Sequence, residues 1–294
     1  MQAMILAAGF GTRLLPHTLL RPKPLFPILN TPLLLLTIRR LQNVGCDHIV
    51  VNCHHLREQI VATLAGLPGV VVLEEEILLG TGGGLRGALA CLRDEPLLVT
   101  NGDIYHSIDF AALYSDHCGN RAKVSLAVHD YPRFNTVQVA GQRVLGFAND
   151  AVSPCLAFTG LHVIEPEILQ DITPKKFSCI LDLYKNMLAE GQEIAALPVD
   201  GSYWTDMGTP GDYLELHAGL LKGSIPRWPE MVDLAENPFL IAPGARVADD
   251  LALEDWCCLG DVEVGHDVQL CRIVAWDNVK IEAGSRRADT LLSA

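Results

Sequence analysis

The stretch Met4-Ile5-Leu6-Ala7-Ala8-Gly9-Phe10-Gly11-Thr12-Arg13-Leu14, followed by Arg21-Pro22-Lys23-Pro24-Leu25-Phe26-Pro27, decides how this chain is read. Met4 to Ala8 are a short apolar run of the kind buried in a parallel sheet. Gly9 and Gly11 lack a Cβ, so the backbone can turn sharply and bring its N–H groups close to phosphate oxygens. Thr12 adds a hydroxyl donor, and Arg13 a planar fork matched to phosphate. Lys23 is a point charge held between two prolines that stiffen its backbone. Together these form the layout of a polyphosphate site at the carboxyl end of a strand.

Two common phosphate loops do not fit. Walker A needs Gly-x-x-x-x-Gly-Lys-Ser/Thr, which is missing here. The dinucleotide fingerprint would place its third glycine at Leu14, and Asn30-Thr31-Pro32 supplies no ribose-binding acid about 20 residues on. A nicotinamide-dependent oxidoreductase is weakened accordingly. The string Leu6-Ala7-Ala8-Gly9-x-Gly11-Thr12-Arg13-Leu14 with Pro22-Lys23-Pro24-Leu25 instead resembles the signature of the sugar-1-phosphate nucleotidyltransferases, and the resemblance extends to about residue 220. It implies NTP and sugar 1-phosphate substrates, a nucleotide-diphospho-sugar product and Mg²⁺ as cofactor. It also implies that Leu6, Ala7, Ala8, Gly9, Gly11 and Thr12 cradle the nucleotide while Arg13 and Lys23 act in catalysis.

Composition bounds the alternatives. The chain has 294 residues, 49% of them hydrophobic, enough for one large or two modest domains with a sizeable core. A net charge of −13 argues against nucleic acid or an anionic membrane as partner. An anionic substrate must be drawn in locally, by residues such as Arg13 and Lys23. Met1-Gln2-Ala3 leads into the first strand without a basic leader, and Leu33–Leu36 is too short an apolar run to span a bilayer. The nine cysteines show no Cys-x-x-Cys spacing, so they are expected to be reduced in a cytoplasmic protein.

Strands are expected at 3–8, 48–53, 70–73, 97–100 and 124–129, with helices at 33–44, 56–64 and 84–92 between them. This βαβα rhythm predicts an α/β fold, a Rossmann-like doubly wound sheet with its site at the strand carboxyl ends. Residues 130–222 continue it as a mixed sheet: a hairpin around Gly141, a strand at 158–164, and helices at 179–190 and 213–221. The catalytic domain is therefore set at 1–222, with a proline-bearing linker over 223–237. From 238 to 294, Ile241, Val247, Leu253 and Leu259 recur every six residues. That pattern resembles hexapeptide repeats, implying a short left-handed parallel β-helix with those aliphatics pointing inward. Relatives with such tails use them for assembly, which implies a possible homo-oligomer.

Nucleotidyl transfer brings two anions together, so one or two aspartates should hold Mg²⁺ near the glycine loop. Asp103, just past the 97–100 strand in Asn101-Gly102-Asp103, fits. Asp206 in Trp204-Thr205-Asp206-Met207-Gly208-Thr209-Pro210 resembles the family's second metal ligand. Gly80-Thr81-Gly82-Gly83-Gly84 is expected as a loop whose backbone reads the nucleobase. Among Glu74, Glu75 and Glu76, a solvated acidic turn is the reading preferred over a base or sugar contact. Asn101, Thr159, Gly160 and Glu165 are expected on the sugar side. One departure stands out: the family's Phe-x-Glu-Lys-Pro segment is here Phe147-Ala148-Asn149-Asp150, without lysine. Lys175, Lys176 or Arg133 are the candidate substitutes. The departure and the tail leave room for a non-catalytic nucleotide-sugar-binding subunit as the alternative function.

Overall fold

A computed structural model describes residues 1–147, 155–233 and 237–294; Ala148, Asn149 and Asp150 lie outside the described residues. The chain groups into two compact units, each gathered from several segments. The first comprises 1–9, 40–102 and 108–202, and the second comprises 10–39, 103–107 and 203–294.

The first unit is built on a nine-stranded mixed sheet. Its order is Val70–Glu74, His48–Cys53, Gln2–Leu6, Leu97–Asn101, Cys155–Ile164, Val124–His129, Ala195–Pro198, Arg143–Phe147, Asn135–Ala140. The four strands from Val70–Glu74 to Leu97–Asn101 pair in parallel. Their continuous Val, Ile and Leu runs are what a sheet buried on both faces requires. Cys155–Ile164 enters antiparallel to both neighbours and carries a register shift between Phe158 and His162. Glycines close the turns as expected. Gly45, at φ 95°, ends the Leu33–Asn43 helix with Cys46 N–H donating to Leu41 O at 3.0 Å, a left-handed C-terminal cap.

One element differs from its expectation. Gly80–Ala88 is a helix from its first glycine, with Leu89–Cys91 continuing as a 3₁₀ turn. Glycine disfavours helix by about 1 kcal/mol per residue, so the run reads as loop. Close packing explains it: a Cβ at Gly83 would lie 2.6 Å from Lys176 O, and one at Gly84 2.6 Å from Asn52 Nδ2.

The second unit carries two parallel ladders. One runs Phe239–Ile241, Ala252–Leu259, Gln269–Ala275, Arg286–Leu292; the other runs Arg246–Val247, Glu263–Val264, Lys280–Ile281. Successive side chains point to opposite faces of a strand, and here both faces are buried. Cys257, Leu259, Ile273 and Ala275 fill the interior of the ladders, while Trp256, Cys258, Val274 and Trp276 join the core that includes Tyr213 and Leu216 of the Pro210–Lys222 helix. That helix starts with a capping box: Asp212 N–H donates to Thr209 Oγ1 and Thr209 N–H to Asp212 Oδ2. Trp276 Nε1–H donates to the Tyr213 hydroxyl at 3.2 Å, which donates to Pro27 O.

Two sequence expectations are corrected here. Ile241 and Val247 are 38% and 36% exposed, because each lies on the outermost strand of its ladder, with no further strand beside it among the described residues. In the stretch 223–237, expected as linker, the described residues include buried Ile225, Trp228 and Met231. Trp228 stacks on Tyr105 at 4.5 Å and donates to His106 O.

Among the buried histidines, His162 of the first unit and His217 of the second are the ones burial shifts furthest toward the neutral form. Burial among Phe158 and Tyr184 lowers His162 to about 3, and burial lowers His217 to about 4 although Tyr213 O accepts from its ring. Both take up a proton on unfolding at any pH between those values and the ordinary 6.5. Their contribution is therefore fully present above 6.5 and is lost as pH falls toward 4 and 3. The thermal midpoint is expected to drop between roughly pH 7.5 and 5, with His162→Leu losing less over that range than the unsubstituted chain. Equal slopes in a calorimetric pH series would refute this.

Candidate active site

The sheet delivers its chemistry at the carboxyl ends of the parallel strands. Gly102 N–H donates to Leu6 O at 2.8 Å, which holds the Asn101-Gly102 turn against the root of the first glycine loop. A Cβ at Gly102 would meet Leu6 O at 3.2 Å and Ala7 Cβ at 3.3 Å, so the close approach depends on glycine. Ala7 and Ala8 are buried and Gly9 is exposed. Membership of the two units changes inside both motifs: Gly9 ends one segment and Phe10 starts the next, and Gly102 and Asp103 divide in the same way.

Gly11 adopts φ 62° as the start of a 3₁₀ turn over Thr12–Leu14, and Leu14 N–H donates back to its carbonyl. A Cβ there would fall 2.9 Å from Thr18 and 3.3 Å from Lys23 Cβ. Thr12 and Arg13 are exposed beyond it. Lys23, by contrast, is 4% exposed. Its ammonium donates to Asp103 Oδ2 at 2.8 Å and to Asp206 O at 2.6 Å. An ammonium has three donors, so one N–H is left for a ligand oxygen. Arg13 Nη2 donates to Asp206 Oδ2 at 2.9 Å, and Gly208 N–H to Asp206 Oδ1. Catalytic and metal candidates of the second unit thus converge as two cation–carboxylate pairs. A group able to displace either partner, such as a phosphate or a cation, finds its counter-charge already in place.

Among the described residues no cluster of three or more His, Cys, Asp or Glu side chains is placed to hold a metal ion. A metal here would rest on the hard oxygens of Asp103 and Asp206 and complete its shell with phosphates and water. That donor set suits Mg²⁺, which takes one or two carboxylates plus substrate oxygens.

The glycines expected to read the nucleobase form a packed helix start instead of an open loop. Gly82 and Gly83 are buried, and both of their N–H groups donate to Ser178 O, at 2.9 and 3.2 Å. Thr81 Oγ1 accepts from Ile180 N–H. The segment from Lys176 to Ile180 caps this helix start, leaving Gly80 and Thr81 half-buried where the other glycines are buried. On the sugar side, Gly160 at φ 82° packs under Asn101, where a Cβ would lie 2.6 Å from Asn101 Nδ2. Thr159 is fully buried, donating to Ala127 O and accepting from Leu161 N–H, so it shapes the strand irregularity instead of facing a ligand.

Glu165 is a clear correction. It follows the carboxyl end of an antiparallel strand, next to Leu97 and Val124 at the amino ends of the parallel strands. It faces His117 at 3.4 Å and lies at the sheet edge opposite the glycine motifs. Of the candidate substitute cations, Arg133 follows the carboxyl end of the Val124–His129 strand, with its guanidinium 5.1 Å over Phe134. Lys175 and Lys176 are exposed on the segment that caps the Gly80–Ala88 helix. Glu75 was undervalued by the sequence: it is 4% exposed and hydrogen-bonded within the first unit.

Comparison with known proteins identifies the family. The nucleotidyl transferase family model matches residues 2–223. A mannose-1-phosphate guanylyltransferase of Mycobacterium tuberculosis is 32% identical over 96% of this chain and 81% of its own length. The catalytic subunit beta of the Dictyostelium discoideum mannose-1-phosphate guanylyltransferase is 28% identical over 84% and 73%. Among solved structures, HddC from Yersinia pseudotuberculosis complexed with GMP-PN superposes with a TM-score of 0.62, at 21% identity over 73% of this chain and 97% of that one. A UDP-glucose pyrophosphorylase of Acinetobacter baumanii gives 0.64, at 18% identity over 76% and 93%. These two likenesses establish the α/β nucleotidyltransferase fold.

A Cβ at Gly208 would lie 2.4 Å from Arg13 Nη1 and 2.9 Å from Asp206 Oδ2. Gly208→Ala is therefore expected to push Arg13 off Asp206 and cut turnover about tenfold or more, a loss of roughly 1.4 kcal/mol. Steady-state kinetics matching the unsubstituted enzyme would contradict the pairing.

Proposed function

This chain belongs to the nucleotidyl transferase family and is a nucleotidyltransferase, and we propose that it joins GTP and a hexose 1-phosphate of the mannose type into a nucleotide-diphospho-sugar, releasing pyrophosphate. The observation that carries the reading is the buried Lys23 ammonium, tied to Asp103 and to the Asp206 carbonyl with one donor to spare. The names of the two relatives favour guanylyl transfer over uridylyl transfer.

In the proposed reaction a phosphate oxygen of the sugar 1-phosphate attacks the α-phosphorus of GTP. The new P–O bond forms as the bond to the β-phosphate oxygen breaks, and the electron pair leaves with pyrophosphate. Gly9, Gly11 and Thr12 bind the triphosphate through backbone and hydroxyl donors. Arg13 offsets charge on the departing pyrophosphate, and the free N–H of Lys23 serves the α-phosphate or the acceptor. These donors are positioned before the reaction, so little reorganisation accompanies charge development. Asp103 and Asp206 would hold Mg²⁺, which when bound supplies Lewis-acid neutralisation of phosphate charge. Asn101 and Gly160 contribute to the sugar side, with Arg133 the replacement for the missing lysine. The ladders of 238–294 are read as a short left-handed β-helix serving assembly into a homo-oligomer.

Pyrophosphate release across four NTPs and mannose, glucose, N-acetylglucosamine, N-acetylmuramate and heptose 1-phosphates tests the reading. GTP with mannose 1-phosphate is expected to dominate. Silence across the grid with nucleotide sugar still bound would replace it with the regulatory alternative. Asp103→Asn should lower kcat by roughly 10²-fold or more, in line with loss of a charge-stabilising group, with the fold retained by circular dichroism at the assay temperature although the thermal midpoint falls with the loss of the Lys23 partner. Near-normal turnover would remove Asp103 from the metal site.

A further inference from the structure

Asn52 and Glu75 are both buried, 2% and 4% exposed, and both lie within the first unit just beyond the glycine motifs. Each polar atom of Asn52 has one assigned partner. Its Oδ1 accepts from Ala7 N–H at 2.9 Å, and its Nδ2 donates to Glu75 Oε1 at 2.7 Å. The second carboxylate oxygen, Oε2, accepts from Leu79 N–H at 3.1 Å. Glu75 is fixed on its backbone as well: its N–H donates to Cys53 O at 2.8 Å, and its carbonyl meets His54 Nδ1 at 2.9 Å. The bridge occupies the space a Cβ at Gly84 would need, since that atom would lie 2.6 Å from Asn52 Nδ2 and 2.9 Å from Glu75 Oε1.

The chain Ala7–Asn52–Glu75–Leu79 therefore joins the root of the phosphate loop to the residue before Gly80. It does so through side-chain oxygens that a neutral isostere cannot reproduce. The glutamate presents two acceptors to two N–H donors, whereas a glutamine presents one acceptor and one donor. An unmade hydrogen bond at a buried donor is costly.

We infer that Glu75, through Asn52, is a positioning residue that sets the distance between the phosphate loop and the Gly80-Thr81 turn, and so governs nucleotide affinity and base choice. The inference rests on the nucleotide-binding reading proposed above. It assigns Glu75 no contact with the reacting atoms. In Glu75→Gln the amide keeps Asn52 in place by offering its oxygen, and the Leu79 N–H is left facing an NH₂ group. The Gly80 turn then loosens while the acceptor side of the enzyme is untouched.

The experiment compares Glu75→Gln with Ser125→Ala, which breaks another buried cluster of the same unit, in which Ser125 Oγ is bonded to His117 Nδ1 and Asn120 Nδ2. GTP and UTP affinity are measured by calorimetry without acceptor, alongside KM for GTP, KM for the sugar 1-phosphate and the thermal midpoint. Glu75→Gln is expected to weaken GTP binding and raise its KM about tenfold, to shrink the GTP-over-UTP preference, and to leave the acceptor KM within twofold. Ser125→Ala should lower the thermal midpoint without moving any of these. The inference is overturned if Glu75→Gln lowers the midpoint like Ser125→Ala while GTP affinity and base preference stay unchanged. A protein that binds GTP but transfers nothing refutes the proposed reaction and still reads this inference by calorimetry. One that binds no nucleotide refutes both.

Discussion

The buried ammonium of Lys23 is the interaction on which the second unit depends. It draws together residues from three separate stretches of chain: its own segment, Asp103, and the carbonyl of Asp206. A buried charge pair is a poor source of net stability, because desolvation offsets most of the attraction, but breaking one partner is severe. Its value here lies in specification. The arrangement of the three stretches that satisfies the ammonium also gives Arg13 its carboxylate. Proline on both sides of Lys23 limits the backbone conformations from which the side chain can reach.

Much of this was legible from residue pattern. The strand runs at 48–53 and 124–129 coincide with the observed elements, because strands buried on both faces are predominantly apolar. Lys23, Asp103 and Asp206, far apart in sequence, do converge. What stayed hidden has physical causes. Strand direction leaves no local trace, so Glu165 looked like a site residue although an antiparallel strand carries it to the far edge of the sheet. Three successive acids look solvated, which concealed the buried Glu75. A stretch with Pro226 and Pro229 looks like linker, yet Trp228 supplies the area that anchors it.

Glycine serves three separate ends in this molecule, and composition alone cannot tell them apart. Gly11 turns the chain through the left-handed region. Gly102 and Gly160 let neighbouring motifs approach within side-chain contact distance. Gly82, Gly83 and Gly84 form a helix against their intrinsic preference, because tertiary packing leaves no volume for a methyl group. The same loop-like sequence can therefore be a ligand cradle or a packing seam, and only the identity of the neighbouring atoms decides which.

The ladders of the second unit repeat a simple contact. Asp261 Oδ1 accepts from Gly244 N–H, 17 residues earlier, and Asp277 Oδ1 accepts from Asp261 N–H, 16 residues earlier. The charged rows keep the same spacing, with Glu263 between Arg246 and Lys280. Within each ladder a described strand pairs only with the strands immediately beside it, while one row of side chains packs on the Pro210–Lys222 helix. Length in such a segment is quantised. Losing one residue would turn the inward side chains of that strand outward, whereas gaining or losing a whole repeat keeps the pairing register of the ladder. Change in steps of one repeat is therefore tolerable only where the strands that carry Trp256 and Trp276 onto the Pro210–Lys222 helix are kept.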